Sequence, residues 1–296
     1  MANRADPPHV SIILPANNEA ASLRTLVGGI RKSHPDAEVI VVDDGSDDAT
    51  AEVATDGGAR VVRHPYSMGN GAAVKSGARA ATGEILVFMD ADGQHDPADI
   101  ARLIARLEEG YDMAVGARQA GSQASLGRGL ANSFYNRFAS LIVGQRIEDL
   151  TSGFRAVRAD RFREFLYLFP NGFSYPTTVT MAFFRAGYLV SYVPIHAGKR
   201  VGKSHLRPIR DGIRFLLIIF KVGTLYSPLK IFVPIAAIQG IVGLAYYGHT
   251  YITTGRLTLG TIFMLSSALT IFLIGLVSEQ ITQLTYRGTS GSADGR

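Results

Sequence analysis

EILVFMDADGQHDP, residues 84 to 97, runs an apolar β-type stretch straight into two aspartates, a glycine and a glutamine. Residues i, i+2 and i+4 of an extended chain point to one side, so Asp90, Asp92 and Gln94 are expected to converge on one point. Two carboxylates and an amide oxygen are hard ligands suited to Mg2+ or Mn2+, ions that fill their remaining positions with water and substrate phosphates. The same stretch also reads as an acidic turn with Gly93 at a positive-φ position. The surrounding sequence decides between the two.

Upstream and downstream, VSIIL at 10 to 14, EVIVVD at 38 to 43, ARVVRH at 59 to 64 and DMAVGA at 112 to 117 read as further strands. Helix-like segments, such as Ala20 to Lys32 and Asp96 to Glu109, fall between them. Alternating strands and helices with continuous apolar runs predict a buried, mostly parallel α/β sheet covered on both faces. Ligands of such sheets bind outside the carboxyl ends of the strands. At those ends stand Pro15-Ala16-Asn17-Asn18-Glu19 and VVDDGSDDAT at 41 to 50. Ser46, Asp47 or Asp48 can cap the following helix, and Asn17 or Asn18 the preceding one. Adjacent Asp43 and Asp44 are unfavourable unless a cation or hydrogen-bond donors use them. Gly69, Gly71 and Val74 break the dinucleotide fingerprint at its last glycine, and Lys75-Ser76 lacks the glycine of a phosphate-cradling P-loop.

The remaining composition places the chain at a membrane. Of 296 residues, 47% are apolar and none is cysteine, so a disulfide framework and thiolate chemistry are excluded. The net charge of +5 does not follow a nucleic-acid pattern. Residues 199 to 230 hold eight Lys or Arg against Asp211 alone, a surplus of seven that leaves the rest of the chain at −2. Anionic lipid headgroups attract such a block. No charged residue occurs from Ile231 to Gly255 or from Leu257 to Ser278, and each run is long enough to cross a hydrocarbon core of about 30 Å. Positive flanks predict that both ends of this hairpin face the cytoplasm. The N-terminal MANRADPPHV has no apolar core of signal-peptide length, so the first domain is expected to stay where it is made. The expected divisions are a catalytic domain over 1–205, an amphipathic juxtamembrane segment over 206–230, two membrane helices over 231–284 and a polar tail over 285–296. Gly240 and Gly243 are small enough to let spans pack closely, within the chain or in a homo-oligomer.

PANNE, DDGS and DAD, in that order at one sheet edge, resemble the family 2 glycosyltransferases with a GT-A fold. EDLTSGFR at 148 to 155 and KRVGKS at 199 to 204 narrow the likeness to the polyprenyl-phosphate (dolichyl- and undecaprenyl-phosphate) sugar transferases. Processive polysaccharide synthases carry a tryptophan signature that this chain, without tryptophan, lacks. The resemblance implies transfer of a sugar from a nucleotide sugar, of UDP-glucose or GDP-mannose type, to polyprenyl phosphate. It implies that Pro15, Asn17, Glu19 and Asp43 or Asp44 surround base and ribose. Asp90, Ala91 and Asp92 would face the donor, with Asp90, Asp92 and Gln94 on the metal. Arg118, Arg128 and Asn132 or Ser133 would take the acceptor phosphate, and Arg200 and Lys203 would belong to a loop over phosphates. Asp149 stands where relatives with hydroxyl acceptors keep a base, so Asp92 and Asp149 are the catalytic candidates. The location implied is the bacterial inner membrane. A polysaccharide or glycerolipid acceptor, or a non-catalytic nucleotide-sugar-binding role, is the alternative.

Overall fold

The computed structural model describes residues 9–118, 126–172, 174–198, 216–217, 219–224 and 227–290, with the side chains of 126–132 and 285–290 left aside. Two compact units emerge: Met1–Phe138 with Gln145–Leu216, and Ala139–Gly144 with Leu217–Arg296.

In the first unit seven strands form one sheet: β1 (Val10–Ala16), β2 (Glu38–Asp43), β3 (Arg60–Arg63), β4 (Ile85–Phe88), β5 (Met113–Arg118), β6 (Arg155–Arg158) and β7 (Val190–Ile195), in the order β3-β2-β1-β4-β6-β5-β7. Every pairing is parallel except those of β6, which runs antiparallel between β4 and β5. The mostly parallel α/β sheet expected from the continuous apolar runs is therefore present. Ile12, Leu14, Val39, Val41 and Val87 pack with Leu23, Val27 and Ile30 of α1 (Ala20–Ser33) and Leu103 of α4 (Asp99–Glu108). On the other face lie Ile13 and Val42, covered by α3 (Asn70–Ala80). Burial on both faces explains why these strands show no polar alternation.

Gly77 makes the close approach of α3 to the sheet. A Cβ there would lie 2.4 Å from Ile13 Cγ2 and 3.2 Å from Val42 Cγ2. Gly77→Ala is expected to cost about 1–3 kcal/mol by overpacking, read as a lower midpoint in denaturant unfolding of the full chain.

The register sets Ala16 opposite Asp43, so β1 and β2 end level, and Ile13 opposite Phe88, so β4 ends at the same edge but short of them. β4 stops at Phe88, two residues before Asp90, where the sequence predicts a strand through that residue. The chain then turns, with Gly93 at φ 74°. Extended alternation therefore does not operate across Asp90, Asp92 and Gln94; a turn sets their directions instead.

The second unit contains α8 (Pro228–Thr254) and α9 (Leu259–Ser290). Pro228–Thr254 and Leu259–Leu284 are long and apolar enough to cross a membrane, and only 17% of each apolar window is buried. Ile238, Ile241, Leu244 and Phe263 are exposed, which a helix inside a soluble core would not allow. Small residues bring the pair together: a Cβ at Gly243 would meet Leu265 at 3.0 Å and Met264 at 3.2 Å, and one at Gly275 would meet Phe232 at 2.6 Å.

Candidate functional site

The shared carboxyl edge of β1, β2 and β4 is tied together by side chains that satisfy one another. Asn17 Nδ2 donates to the Asp44 carbonyl at 2.7 Å, the Asn18 amide to Ser46 Oγ at 2.9 Å, and the Glu19 amide to Thr50 Oγ1 at 3.0 Å. Asp48 accepts from the amides of Ala20 and Thr50, so it links two helix starts. Ser22 Oγ donates to the Ala91 carbonyl at 2.6 Å and joins the β1 turn to the DAD segment. Pro15 is half-buried and Asn17 exposed at this edge.

The paired acids of β2 have different occupations. Asp44 accepts from His64 Nδ1 at 2.7 Å, from the Met68 and Gly69 amides at 2.8 Å and from Ser67 Oγ at 2.9 Å. Burial alone raises the pKa of Asp44; these donors, His64 first, hold it below the usual carboxylate range instead. His64 Nε2 reaches Ser76 Oγ at 2.9 Å, extending the network to α3. Asp43 accepts the Ser46 amide at 2.9 Å through Oδ1, while its buried Oδ2 has no hydrogen-bond partner. Arg63 Nε approaches that oxygen to 3.2 Å outside hydrogen-bond geometry and from a side chain 57% exposed, so the pairing is weak. Asp43 is thus the member of the pair with an oxygen that accepts no hydrogen bond.

Around the DAD segment, Asp92 is buried and its Oδ1 accepts the Gln94 amide at 3.1 Å. The Asp90 side chain is 38% exposed. Gln94 and Gly198 form a reciprocal pair, Gly198 amide to Gln94 carbonyl at 2.8 Å and Gln94 Nε2 to Gly198 carbonyl at 3.2 Å. His95, stacked on Phe154 with ring centroids 4.9 Å apart, brings Nε2 to 4.0 Å from Asp90 Oδ2. Burial pushes its pKa down to about 4, so it is neutral at pH 7 and brings no positive charge to Asp90. Among the described residues no three His, Cys, Asp or Glu side chains form a metal cluster. The oxygen donors of Asp90, Asp92 and Gln94 nonetheless suit a hard divalent ion that takes its other ligands from phosphate. Gly153 leaves space beside the Asp90 carboxylate that a side chain would fill.

Arg118, at the end of β5, grips Asp149 through a fork: Nε to Oδ2 at 2.8 Å and Nη2 to Oδ1 at 2.9 Å. Asp149 also accepts the Thr151 and Ser152 amides at 3.1 Å. Burial pushes its pKa up, and the hydrogen bond and charge of Arg118 overcome this and hold it low. Its lone pairs are spent on donors, which is poor preparation for accepting a proton. Arg118 keeps Nη1 clear of hydrogen bonds among the described residues, on a side chain 27% exposed. Asn136 of α5 (Leu126–Val143) braces the same loop, donating to the Glu148 carbonyl at 2.6 Å and accepting the Leu150 amide at 3.0 Å. Ser133 is exposed on α5. Arg200 and Lys203 lie outside the described residues, as do the side chains of Arg128 and Asn132.

Sequence reasoning passes over His64, Arg155 and Tyr175, which reach Asp44, Thr180 and Gly153 at separations of 20, 25 and 22 residues. The start of α3 is no phosphate cradle, because the Gly71 and Ala72 amides are taken by the carbonyls of Gly172 at 3.0 Å and Asn171 at 2.8 Å.

The family profile described as Glycosyl transferase family 2 matches residues 11–166, and that described as GtrB C-terminal hairpin matches residues 227–284. The chain is 32% identical to glycosyltransferase AglJ of Haloferax volcanii over 250 residues, 81% of each protein. It is 29% identical to the undecaprenyl-phosphate mannosyltransferase of Micrococcus luteus, covering 67% of this chain and 87% of that one. Among solved structures, glucosyl-3-phosphoglycerate synthase of Mycobacterium tuberculosis, in complex with Mn2+, UDP-glucose and phosphoglyceric acid, superposes with a TM-score of 0.59 at 22% identity. That superposition covers 73% of this chain and 80% of the synthase, and it shows the fold, a GT-A-type α/β domain.

Proposed function

The chain belongs to glycosyl transferase family 2, and from that premise we propose that it moves a sugar from a nucleoside diphosphate onto a polyprenyl phosphate at a membrane. The observation that carries the reading is the pairing, in one chain, of a family 2 domain with an apolar two-helix hairpin. Such a hairpin tethers an enzyme for a water-soluble donor to the surface where a lipid acceptor resides. The undecaprenyl-phosphate mannosyltransferase likeness supports the acceptor class.

In this reading Pro15, Asn17, Glu19 and Asp43 contact base and ribose. Asp43 is preferred to Asp44 because its Oδ2 accepts no hydrogen bond and meets only the exposed Arg63, whereas the Asp44 carboxylate is consumed internally. Asp90 and Asp92, with Gln94, would hold Mg2+ or Mn2+, which when bound neutralises the charge of the leaving diphosphate. Arg118, Arg128, Ser133, Arg200 and Lys203 receive the acceptor phosphate. A phosphate oxygen forms the new bond to the anomeric carbon, and the bond from that carbon to the donor diphosphate breaks on the opposite side. The nucleoside diphosphate leaves with the electron pair, giving inversion. Because a phosphate monoester has a second pKa of about 6, the acceptor is largely ionised at neutral pH and needs no strong base. Asp149 then serves as the anchor of Arg118.

Nucleoside diphosphate release from purified protein is expected only when undecaprenyl phosphate accompanies the donor, and a screen of UDP- and GDP-sugars identifies the donor. Transfer to a glucan or diacylglycerol but not to the lipid phosphate overturns the acceptor assignment. The basic block before α8 supports a catalytic domain on the cytoplasmic side of its membrane, and the location we propose is the bacterial inner membrane. Asn3→Cys and Ser290→Cys are expected to be labelled only from the cytoplasm and Thr254→Cys only from outside; labelling of the first two from opposite sides rules the hairpin out.

A further inference from the structure

Gly153 is the residue whose missing side chain makes room for Asp90. A Cβ there would lie 2.8 Å from Asp90 Oδ2, 3.0 Å from Oδ1 and 3.2 Å from Cγ. Gly153 is not among the positive-φ residues, so its backbone does not call for glycine and the close approach does. The backbone that comes so near is held by two buried side chains. Tyr175 donates its hydroxyl to the Gly153 carbonyl at 2.9 Å, and Arg155 Nη2 donates to the Ser152 carbonyl.

Arg155 is fully buried and makes no ion pair among the described residues. Its Nη1 reaches the Pro176 carbonyl at 3.3 Å and Thr180 Oγ1 at 3.2 Å, its guanidinium sits 5.6 Å from the Tyr175 ring centroid, and its Nε has no partner. A permanent charge buried without a direct ion pair is costly even with Asp149 and Asp90 favouring it from farther off, and stability alone would favour an apolar residue of the same volume. Tyr175 in turn stands 6.0 Å, ring to ring, from Phe88, the last residue of β4. Arg155, Tyr175 and the strand that delivers Asp90 thus pack against one another.

We propose that Ser152–Gly153, clamped by Arg155 and Tyr175, is a backbone shelf that fixes the Asp90 carboxylate for metal and donor diphosphate, which makes Gly153, Tyr175 and Arg155 positioning residues. The proposal rests on the reading that Asp90 holds the donor's metal. Steric support of this kind uses none of the carboxylate's lone pairs, so it orients the group without drawing on its capacity as a ligand.

The shelf predicts a separation that ordinary packing does not. Asp90 is a short, partly exposed side chain, so in Gly153→Ala its carboxylate swings aside at little cost to the fold while its place as a ligand is lost. In detergent-solubilised full-length protein, without donor or acceptor, Mn2+ is titrated by the EPR signal of the free ion, and thermal unfolding is followed in the metal-free state. Gly153→Ala is expected to raise the Mn2+ dissociation constant about 10–100-fold with an unchanged metal-free unfolding midpoint. Tyr175→Phe, which keeps the ring and loses the clamp, should fall between it and wild type. Excess Mn2+ should restore turnover in Gly153→Ala but not in Asp90→Asn. If Asp90→Asn binds Mn2+ like wild type, the metal reading itself fails. If Asp90→Asn loses Mn2+ while Gly153→Ala keeps wild-type affinity, or weakens only together with the metal-free fold, the shelf is overturned.

Discussion

Asp92→Asn is expected to cut sugar transfer by about 10²–10³-fold while the protein stays folded, the loss typical of removing one electrostatic partner of a developing charge. The substitution is conservative where it needs to be. Asp92 is 8% exposed and its Oδ1 accepts the Gln94 amide at 3.1 Å, a bond that an asparagine carbonyl oxygen can keep. The turn around Gly93 therefore survives, and what disappears is the negative charge. A hard cation binds a neutral amide oxygen far less well than a carboxylate, and the leaving diphosphate then departs without full compensation. Turnover against Mn2+ concentration is the measurement, with circular dichroism and thermal unfolding as controls for the fold. Full activity of Asp92→Asn, or of the wild-type protein in excess EDTA, would remove Asp92 from the metal site.

The sheet was legible because its signal is local. VSIIL and EVIVVD are apolar at consecutive positions, and only strands buried on both faces need that. The antiparallel β6 was not, since RAVR at 155 to 158 carries arginines at both ends and its meaning depends on β4 and β5 lying on either side. DDGS announced that two adjacent carboxylates had work to do, and the structure divides it: Asp44 organises the 64–69 loop and Asp43 keeps one oxygen without a hydrogen bond. Nothing in the sequence separates the two, because the donors to Asp44 come from a loop 20 to 25 residues away and include main-chain amides that every residue but proline possesses. EDLTSGFR drew attention to Asp149 as a base. Its partners, the Arg118 fork and the Thr151 and Ser152 amides, describe an acceptor already filled. Gly153 shows the same limit from the other side, for a glycine required by a neighbour 63 positions earlier looks in sequence like any loop glycine.

Arg118→Ala and Arg118→Lys are expected to fail in different ways, and the difference separates the structural duty of this arginine from its proposed duty toward the acceptor. Alanine leaves Asp149, whose side chain is 7% exposed, as an uncompensated buried charge, and breaking such a pair costs about 3–5 kcal/mol. Lysine keeps the charge near Asp149, but its donors all sit on one nitrogen and cannot copy a planar fork on the carboxylate while a separate nitrogen faces the phosphate. A lost charge-assisted contact is worth about 1.5–3 kcal/mol, so Arg118→Lys should raise the KM for polyprenyl phosphate roughly 10–150-fold with donor affinity unchanged. The ion pair also carries a pH signature. The pKa of Asp149 is depressed in the folded protein, so the pair's contribution is present above the ordinary aspartate value of about 3.9 and is lost as pH falls through the folded value. Asp149→Asn should accordingly show its stability deficit at pH 7, and that deficit should shrink below about pH 4. Denaturant unfolding at the two pH values, beside paired donor and acceptor titrations of Arg118→Lys, makes the comparison. A lysine variant that loses donor affinity and keeps a normal acceptor dependence would mean that Arg118 serves the nucleotide sugar, and the two phosphate sites would have to be exchanged.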